Sequence, residues 1–167
     1  MRRRSWPMAL MLIALAAPAG ADESLASELV AAAPSANPKV LSLAALAADC
    51  ARRQGLLDGF RHLAVIDYSL PSTQPRLWVF DVERGRLLFQ ELVAHGRNTG
   101  EKVAERFSNV EGSKMSSLGL FQATDTYYGN NGYSLRLRGL DPARNSNAGA
   151  RCNSRSRNCS AIDRYSL

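Results

Sequence analysis

The chain has 167 residues, of which 46% are hydrophobic and 22% charged, and its formal net charge is +6. This length and apolar content exclude a wholly disordered chain and suffice for one hydrophobic core. Three of the cations are Arg2, Arg3 and Arg4, and without them the balance falls from +6 to about +3. The arginines near the C-terminus have no aromatic residues between them and no nucleic-acid motif beside them, so nucleic acid is not expected as a partner.

The first 21 residues have the organisation of a secretory signal peptide. A charged start is followed by an apolar segment at residues 8–17 and by the small-x-small pattern of Ala19-Gly20-Ala21. The apolar segment is too short to cross a membrane, and no later segment approaches the roughly 20 apolar residues that a crossing needs. We expect cleavage near Ala21 and a periplasmic or secreted mature chain, beginning near Asp22, with no transmembrane segment.

Residues 22–62 are predicted to form a helical N-terminal segment. Ser24–Ala33 is rich in alanine and leucine and reads as a short helix before a proline-containing linker. Asn37 is placed to cap a second helix that has Pro38 at its first position and stops at Gly55.

One face of the second helix is predicted to pack on the sheet. Val40, Leu43, Ala47 and Cys50 recur at helical spacing. Cys50 is then most simply a small core residue.

Strands dominate the sequence from Leu63 onward. Arg76–Val82 is apolar on both faces, which suits a strand buried on two sides, and Gly85 provides a tight turn into a returning strand at Arg86–His95. About 20 residues after Gly96 are rich in glycine, serine, asparagine and charge, which is typical of a functional or mobile loop. The pattern also predicts an apolar run at 64–68, strands at 118–124 and 133–140, and a turn over 127–133.

Several short blocks of this sequence, in this order and spacing, are similar to one known family. They are Ile66–Ser72, Arg76–Val79, Val93–Gly96, Arg106–Asn109 with Ser116–Gly119, and Tyr133–Leu137 with Gly139 and Leu140. Through them the chain resembles the murein L,D-transpeptidase catalytic domain family of YkuD type. The resemblance implies a mainly β fold with N-terminal α-helices, in which residues 63–151 form a partial L,D-transpeptidase-like β-sandwich.

The resemblance also implies a wall-facing enzyme that acts on peptidoglycan stem peptides, with no cofactor. In the family, a cysteine thiolate attacks the stem at a diaminopimelate residue, and the acyl-enzyme then passes to an amine. The thiolate needs a histidine and backbone amides beside it, which the family supplies in a His-Gly pair and a downstream Ser-x-Gly-Cys segment.

Neither of these two segments stands at the expected place in this chain. The histidines are His62 and His95, and the similarity ends at Arg151, after which residues 152–167 turn to serine, asparagine, arginine and cysteine. We therefore expect a truncated or frame-shifted, inactive chain with an unstructured tail and no catalytic residue. Cys159 lies in a Ser-x-x-Cys spacing without the glycine and is expected to be an incidental thiol.

Two other functions stay open for the chain. It could be a non-catalytic exported module that binds peptidoglycan stems, or a small disulfide-containing periplasmic protein with no role at the wall. Three cysteines leave one unpaired if Cys152 and Cys159 form a disulfide. No metal site is expected, because no spacing typical of zinc ligands is present.

The resemblance places six residues on the substrate-facing side of the domain, as substrate-binding candidates: His95, Gly96, Phe107, Ser116, Ser117 and Gly119. For the serines the alternative is turn chemistry, because loop serines often bond their own backbone. For His95 the alternative is a hydrogen-bonded structural histidine. Tyr127 and Tyr133 are expected to pack rather than bind. The sequence indicates no oligomeric state.

Overall fold

The structure, a computed structural model, describes residues 24–129 and 132–151, and it is mainly β with two helices at the N-terminal end of that part, as predicted. The expected signal peptide and the expected tail lie outside the described residues. Within the described ranges, no helix is long and apolar enough to cross a membrane. The elements are α1 (Leu25–Ala32), α2 (Pro38–Arg53), β1 (His62–Ile66), β2 (Leu77–Asp81), β3 (Arg86–Glu91), β4 (Phe121–Gly129), β5 (Gly132–Gly139) and α3 (Ala148–Arg151).

The ends of the first two helices follow the predicted capping chemistry. The Ser24 side chain accepts a hydrogen bond from the backbone of α1, and the Asn37 side chain accepts one from the backbone of α2, which has Pro38 at its start. After α2, Gly55 takes a φ of 69°, and Leu56 N–H donates to the Ala51 carbonyl at 2.9 Å. This bond satisfies a carbonyl of the last turn, which explains why the helix stops there.

The predicted buried face of α2 is wrong at two of its four positions, since Val40 is partly buried against the core and Cys50 is half-buried. Leu43 is 66% exposed and Ala47 is also exposed, whereas Leu41 and Ala45 are buried together with Ala48 and Ala51. Both sets recur at helical spacing, so periodicity alone could not choose between them. The buried set combines Leu41 with three alanines, whose small side chains allow α2 to pack closely.

β1, β2 and β3 form a three-stranded antiparallel sheet in that order. Both faces of β2 are largely buried, as predicted, with Trp78 and Phe80 each 1% exposed. These two side chains join Leu63 and Val65 of β1 in the core that packs against α1 and α2. The β2–β3 hairpin is confirmed, and Gly85 in its turn has a φ of 56°.

Asp81, at the end of β2, is held in this turn by cations. Its carboxylate accepts bonds from the Arg84 backbone at 3.2 Å and guanidinium at 3.1 Å, and Arg61 lies 3.8 Å away. Burial raises the pKa of Asp81, but the hydrogen bonds from Arg84 and the charges of Arg84 and Arg61 outweigh it and hold the pKa below its usual value.

β4 and β5 form a separate two-stranded antiparallel sheet. The predicted turn over 127–133 is too long, because β4 continues through Tyr128 to Gly129 and β5 begins at Gly132. Cross-strand pairing of Tyr128 with Tyr133 extends the ladder into residues whose composition favoured a turn. Two other predicted bounds also move, since β3 ends at Glu91 rather than His95 and β4 begins at Phe121 rather than Leu118.

Candidate functional site

A fully buried arginine connects the start of β2 to the long loop that follows β3. Arg76 is 0% exposed, and its guanidinium donates to the Val93 carbonyl from Nε at 3.0 Å and from Nη2 at 2.9 Å. Nη1 donates to the Leu70 carbonyl at 2.8 Å. Burial lowers the pKa of Arg76, an effect that Tyr68 and Asp67 oppose. The guanidinium cannot touch a ligand, so its role here is to position backbone.

The same guanidinium also holds the ring of His95. Arg76 Nη2 lies 2.7 Å from His95 Nδ1, and His95 Nε2 lies 3.1 Å from the Gly100 carbonyl. An arginine only donates and a carbonyl only accepts, so Nδ1 is the acceptor and Nε2 carries the hydrogen. Both ring nitrogens are therefore occupied within the fold.

Tyr68 covers the other side of Arg76. The Arg76 guanidinium lies 5.1 Å from the centre of the Tyr68 ring, and the Phe107 ring packs on Tyr68 at 5.6 Å. Burial raises the pKa of Tyr68, while a hydrogen bond with the Ser116 side chain and the charge of Arg76 lower it to a smaller extent. We call Tyr68, Arg76, His95 and Ser116 the Arg76 cluster.

Ser116 brings the two ends of the loop together. Gly96 N–H donates to Ser116 Oγ at 2.9 Å, and Ser116 N–H donates to Thr99 Oγ1 at 2.7 Å. A Cβ at Gly96 would lie 2.5 Å from the Lys114 carbonyl oxygen, so only glycine fits this close approach. Thr99, which is 0% exposed, also accepts backbone bonds from residues 105 and 106.

A second buried polar side chain anchors the far end of the same loop. Asn145 is 0% exposed, and its Nδ2 donates to the carbonyls of Leu118 at 3.2 Å and Leu120 at 2.9 Å. Its Oδ1 accepts from Asp141 N–H at 2.8 Å. A Cβ at Gly119 would lie 2.7 Å from Asn145 Nδ2, so this glycine makes room for the amide.

Asn109 extends this connection toward α3. Its Oδ1 accepts from Asn147 N–H at 3.1 Å, its carbonyl accepts from the Asn147 side chain at 3.0 Å, and its Nδ2 lies 3.0 Å from Ser146 Oγ. The loop is thus held to the segment before α3 by main-chain and side-chain bonds at two places.

The structure brings four of the six predicted site residues together, places a fifth next to them in the chain and leaves one apart. His95 and Ser116 belong to the Arg76 cluster, Gly96 bonds to Ser116, and Phe107 packs on Tyr68. Ser117 is half-buried beside the cluster, while Gly119 is exposed at the Asn145 end of the loop. Their role in substrate binding stays a prediction.

Sequence reasoning did not assign a site role to Tyr68, Arg76, Thr99 or Asn145. The signal available for Arg76 was its position, a charged residue at the start of a strand that is apolar on both faces. Such a residue is expected to be buried, and a buried charge needs several fixed partners. Asn145 gave a weaker signal, because asparagine next to serine and asparagine usually indicates an exposed turn.

Among the described residues, no cysteine is paired with a histidine. Cys50 Sγ accepts a bond from Gln54 Nε2 on α2 at 3.3 Å, and within residues 24–129 and 132–151 no hydrogen bond joins it to a histidine. In the same ranges, no three His, Cys, Asp or Glu residues converge on a point where a metal ion could bind.

Comparison with known proteins identifies the family. A scan against protein-family models matches residues 32–152 to the L,D-transpeptidase catalytic domain of YkuD type. Searches of the curated proteins and of the solved structures returned no match. The family match takes in both sheets, the Arg76 cluster and the Asn145 anchor, and it extends over well more than half of the 167 residues. The chain therefore belongs to the L,D-transpeptidase catalytic domain family.

Proposed function

We propose that this chain binds peptidoglycan stem peptides at the loop between residues 95 and 120, and that residues 24–129 and 132–151 do not by themselves complete acyl transfer. Membership of the L,D-transpeptidase family supports the ligand, since the family acts on peptidoglycan. The absence of acyl transfer rests on His95, whose two ring nitrogens are directed at Arg76 and at the Gly100 carbonyl. Among the described residues, no cysteine forms a hydrogen bond with this histidine, so no thiol is paired with the base that family chemistry requires.

The surface offered to a stem peptide consists of the half-buried side of the loop. Phe107 and Ser117 are partly exposed, and the Ser117 side chain makes no hydrogen bond with another described residue. Ser116 and Gly96 fix the backbone beside them. A ligand peptide would thus meet one aromatic ring, one available hydroxyl and ordered backbone groups.

Export is the second part of the proposal. The charged start, the apolar segment at residues 8–17 and the small residues at 19–21 support cleavage near Ala21 and a location where peptidoglycan is accessible. Determining the mass of the product from the native host tests this, because an exported chain would begin near Asp22. A product that retains Met1–Ala21 would refute export.

Binding is tested by cosedimentation of the full chain with purified sacculi. Ser117→Ala should lower the bound fraction without changing the melting temperature, because this side chain supports no described bond. Ser42→Ala, on an exposed position of α2, is the matched control and should change neither quantity. Equal sedimentation of wild type and Ser117→Ala, or none for wild type, would refute binding at this loop.

Acyl transfer is tested separately by intact-protein mass spectrometry after incubation with a diaminopimelate-containing tetrapeptide. We expect no added mass, since no described cysteine has a histidine partner. A covalent acyl adduct, or a transpeptidation product formed with a D-amino acid acceptor, would overturn the proposal that the chain only binds. This assay does not depend on sacculi, so the two parts of the proposal fail independently.

A further inference from the structure

The β4–β5 hairpin carries a pair of exposed tyrosines next to its connecting turn. Tyr128 pairs with Tyr133 across the strands, and Thr126 pairs with Leu135. Directly opposed residues share a face, and alternate residues along a strand return to it, so these four side chains occupy one face of the hairpin. We call Thr126, Tyr128, Tyr133 and Leu135 the tyrosine face.

The exposure of this face exceeds what hairpin stability explains. The two rings lie 5.2 Å apart at an angle of 59°, a cross-strand contact that makes a modest contribution to hairpin stability. Tyr128 nevertheless leaves 84% of its surface exposed and Tyr133 leaves 38%, so little apolar area is removed from water. Aromatic surface that stays exposed on an ordered strand is typical of an interaction site. Tyr133 thus packs as predicted, but only in part.

Arg136 and Arg138 of β5 alternate with Leu135 and so lie on the opposite face of the hairpin. Tyr127 pairs with Ser134, and the Arg136 guanidinium lies 4.7 Å from the centre of the Tyr127 ring. Ser134 is 5% exposed, so this side of the hairpin faces the protein. The tyrosine face contains two aromatic rings, three hydroxyl groups and one leucine, and none of its four side chains is charged.

This composition selects among ligands. Nucleic acid and anionic membrane surfaces are recognised chiefly through lysine and arginine, which the tyrosine face lacks. An acidic stem peptide likewise requires cations. A sugar chain is uncharged and presents a C–H face that packs on an aromatic ring, with hydroxyl groups at its rim that bond to tyrosine and threonine hydroxyls.

We propose that the tyrosine face binds the uncharged glycan strand of peptidoglycan. This inference rests on the proposed function for the choice of polymer, but it concerns a different surface and a different part of that polymer. The stem peptide would occupy the loop between residues 95 and 120, while the sugar backbone would contact the hairpin. Two weak contacts on one polymer raise the overall affinity through effective concentration.

The test is a titration of the full chain with chitotetraose, a neutral tetramer of N-acetylglucosamine, followed by calorimetry. Tyr128→Ala should weaken binding about tenfold, as expected for the loss of one stacked ring. Tyr128→Phe retains the ring and should stay within about twofold of wild type. Leu43→Ala, which removes an exposed apolar side chain from α2, is the matched control and should have no effect.

Absence of chitotetraose binding by wild type, or equal binding by Tyr128→Ala, would refute the inference. If Tyr128→Ala instead abolishes binding to anionic phospholipid vesicles and wild type ignores chitotetraose, the face is a membrane contact and the inference also fails. Binding of chitotetraose without binding of a free stem tetrapeptide would support the inference and refute the stem-peptide site. Binding of the stem tetrapeptide without binding of chitotetraose would support the stem-peptide site and refute the inference, so the two proposals are distinguishable.

Discussion

Replacing Arg76 by methionine should destabilise the protein severely. Methionine approximates the length of the arginine stem but removes every hydrogen-bond donor. The substitution would leave the Val93 and Leu70 carbonyls and His95 Nδ1 without the partner that each has in the native fold. These acceptors lie in buried or partly buried positions, where water does not readily replace the lost donor.

The magnitude follows from these three acceptors. Each buried acceptor left unsatisfied costs about 1–3 kcal/mol, so the loss of the donors to three of them costs several kcal/mol before any opposing effect. The opposing effect is the desolvation of the guanidinium, which methionine avoids. No acidic side chain lies within ion-pair distance of Arg76 among the described residues, so its partners are mainly neutral carbonyls that would stay buried. We therefore expect a net loss of about 3 kcal/mol, which is a large part of the 5–15 kcal/mol that a domain typically has.

Urea unfolding followed by circular dichroism measures this loss. The midpoint should fall while the slope stays constant, which identifies a change in the free energy of unfolding rather than in the unfolded state. Arg76→Lys should recover less than half of the loss, because one ammonium cannot reproduce the planar fork that serves the three acceptors. Arg97→Met, at an exposed position of the same loop, is the control and should stay within about 0.5 kcal/mol. A loss below about 1 kcal/mol for Arg76→Met would refute the reasoning from unsatisfied acceptors.

Three further perturbations test other contacts. Gly139→Ala should cost about 1–3 kcal/mol in urea unfolding, because its Cβ would overlap the Asn145 carbonyl oxygen, whereas Gly59→Ala meets nothing within 4 Å and should be nearly neutral. Burial raises the pKa of the Tyr68 hydroxyl in the folded protein. The stability that this residue supplies is therefore present below its usual pKa of 10.0 and is lost as pH rises through its folded pKa. Wild type should lose more stability than Tyr68→Phe between pH 9 and about 12. The pKa of Asp81 is lowered, so its effect on stability has the opposite dependence on pH. The stability advantage of wild type over Asp81→Asn should be full above the usual pKa of 3.8 and should disappear as pH falls through the folded pKa. A stability advantage that persists in acid would contradict the ion-pair geometry.

Local signals predicted the fold best where a short stretch determines its own geometry. The Asn37 cap, the proline after it and the Gly85 turn each act through backbone groups a few residues away, and the structure confirms all three. The buried face of α2 failed because two helical faces carry apolar residues, and the choice depends on how closely the neighbouring helix can approach. That distance is a tertiary property that no periodicity contains.

The interior of the candidate site was hidden from the sequence for a similar reason. Arg76 bonds to residues at 70, 93 and 95, and Asn145 bonds to residues at 118 and 120. Neither side chain has a local pattern that reveals these partners, since both act on backbone carbonyls brought near by the fold. The family similarity located the loop, but it did not indicate which side chains hold it.

The long loop illustrates why length and composition are insufficient to predict mobility. Twenty residues rich in glycine and serine suggested a functional or mobile segment. In the structure, Arg76 fixes the entry of this loop, Asn145 fixes its exit, and the Gly96–Ser116 bond joins its two ends. Each anchor is a buried or partly buried bond between parts of the chain that are distant in sequence, so bending the loop would break several bonds at once. A ligand that binds here would meet a surface whose order is already established by the fold, and it would lose less conformational entropy than on a flexible loop.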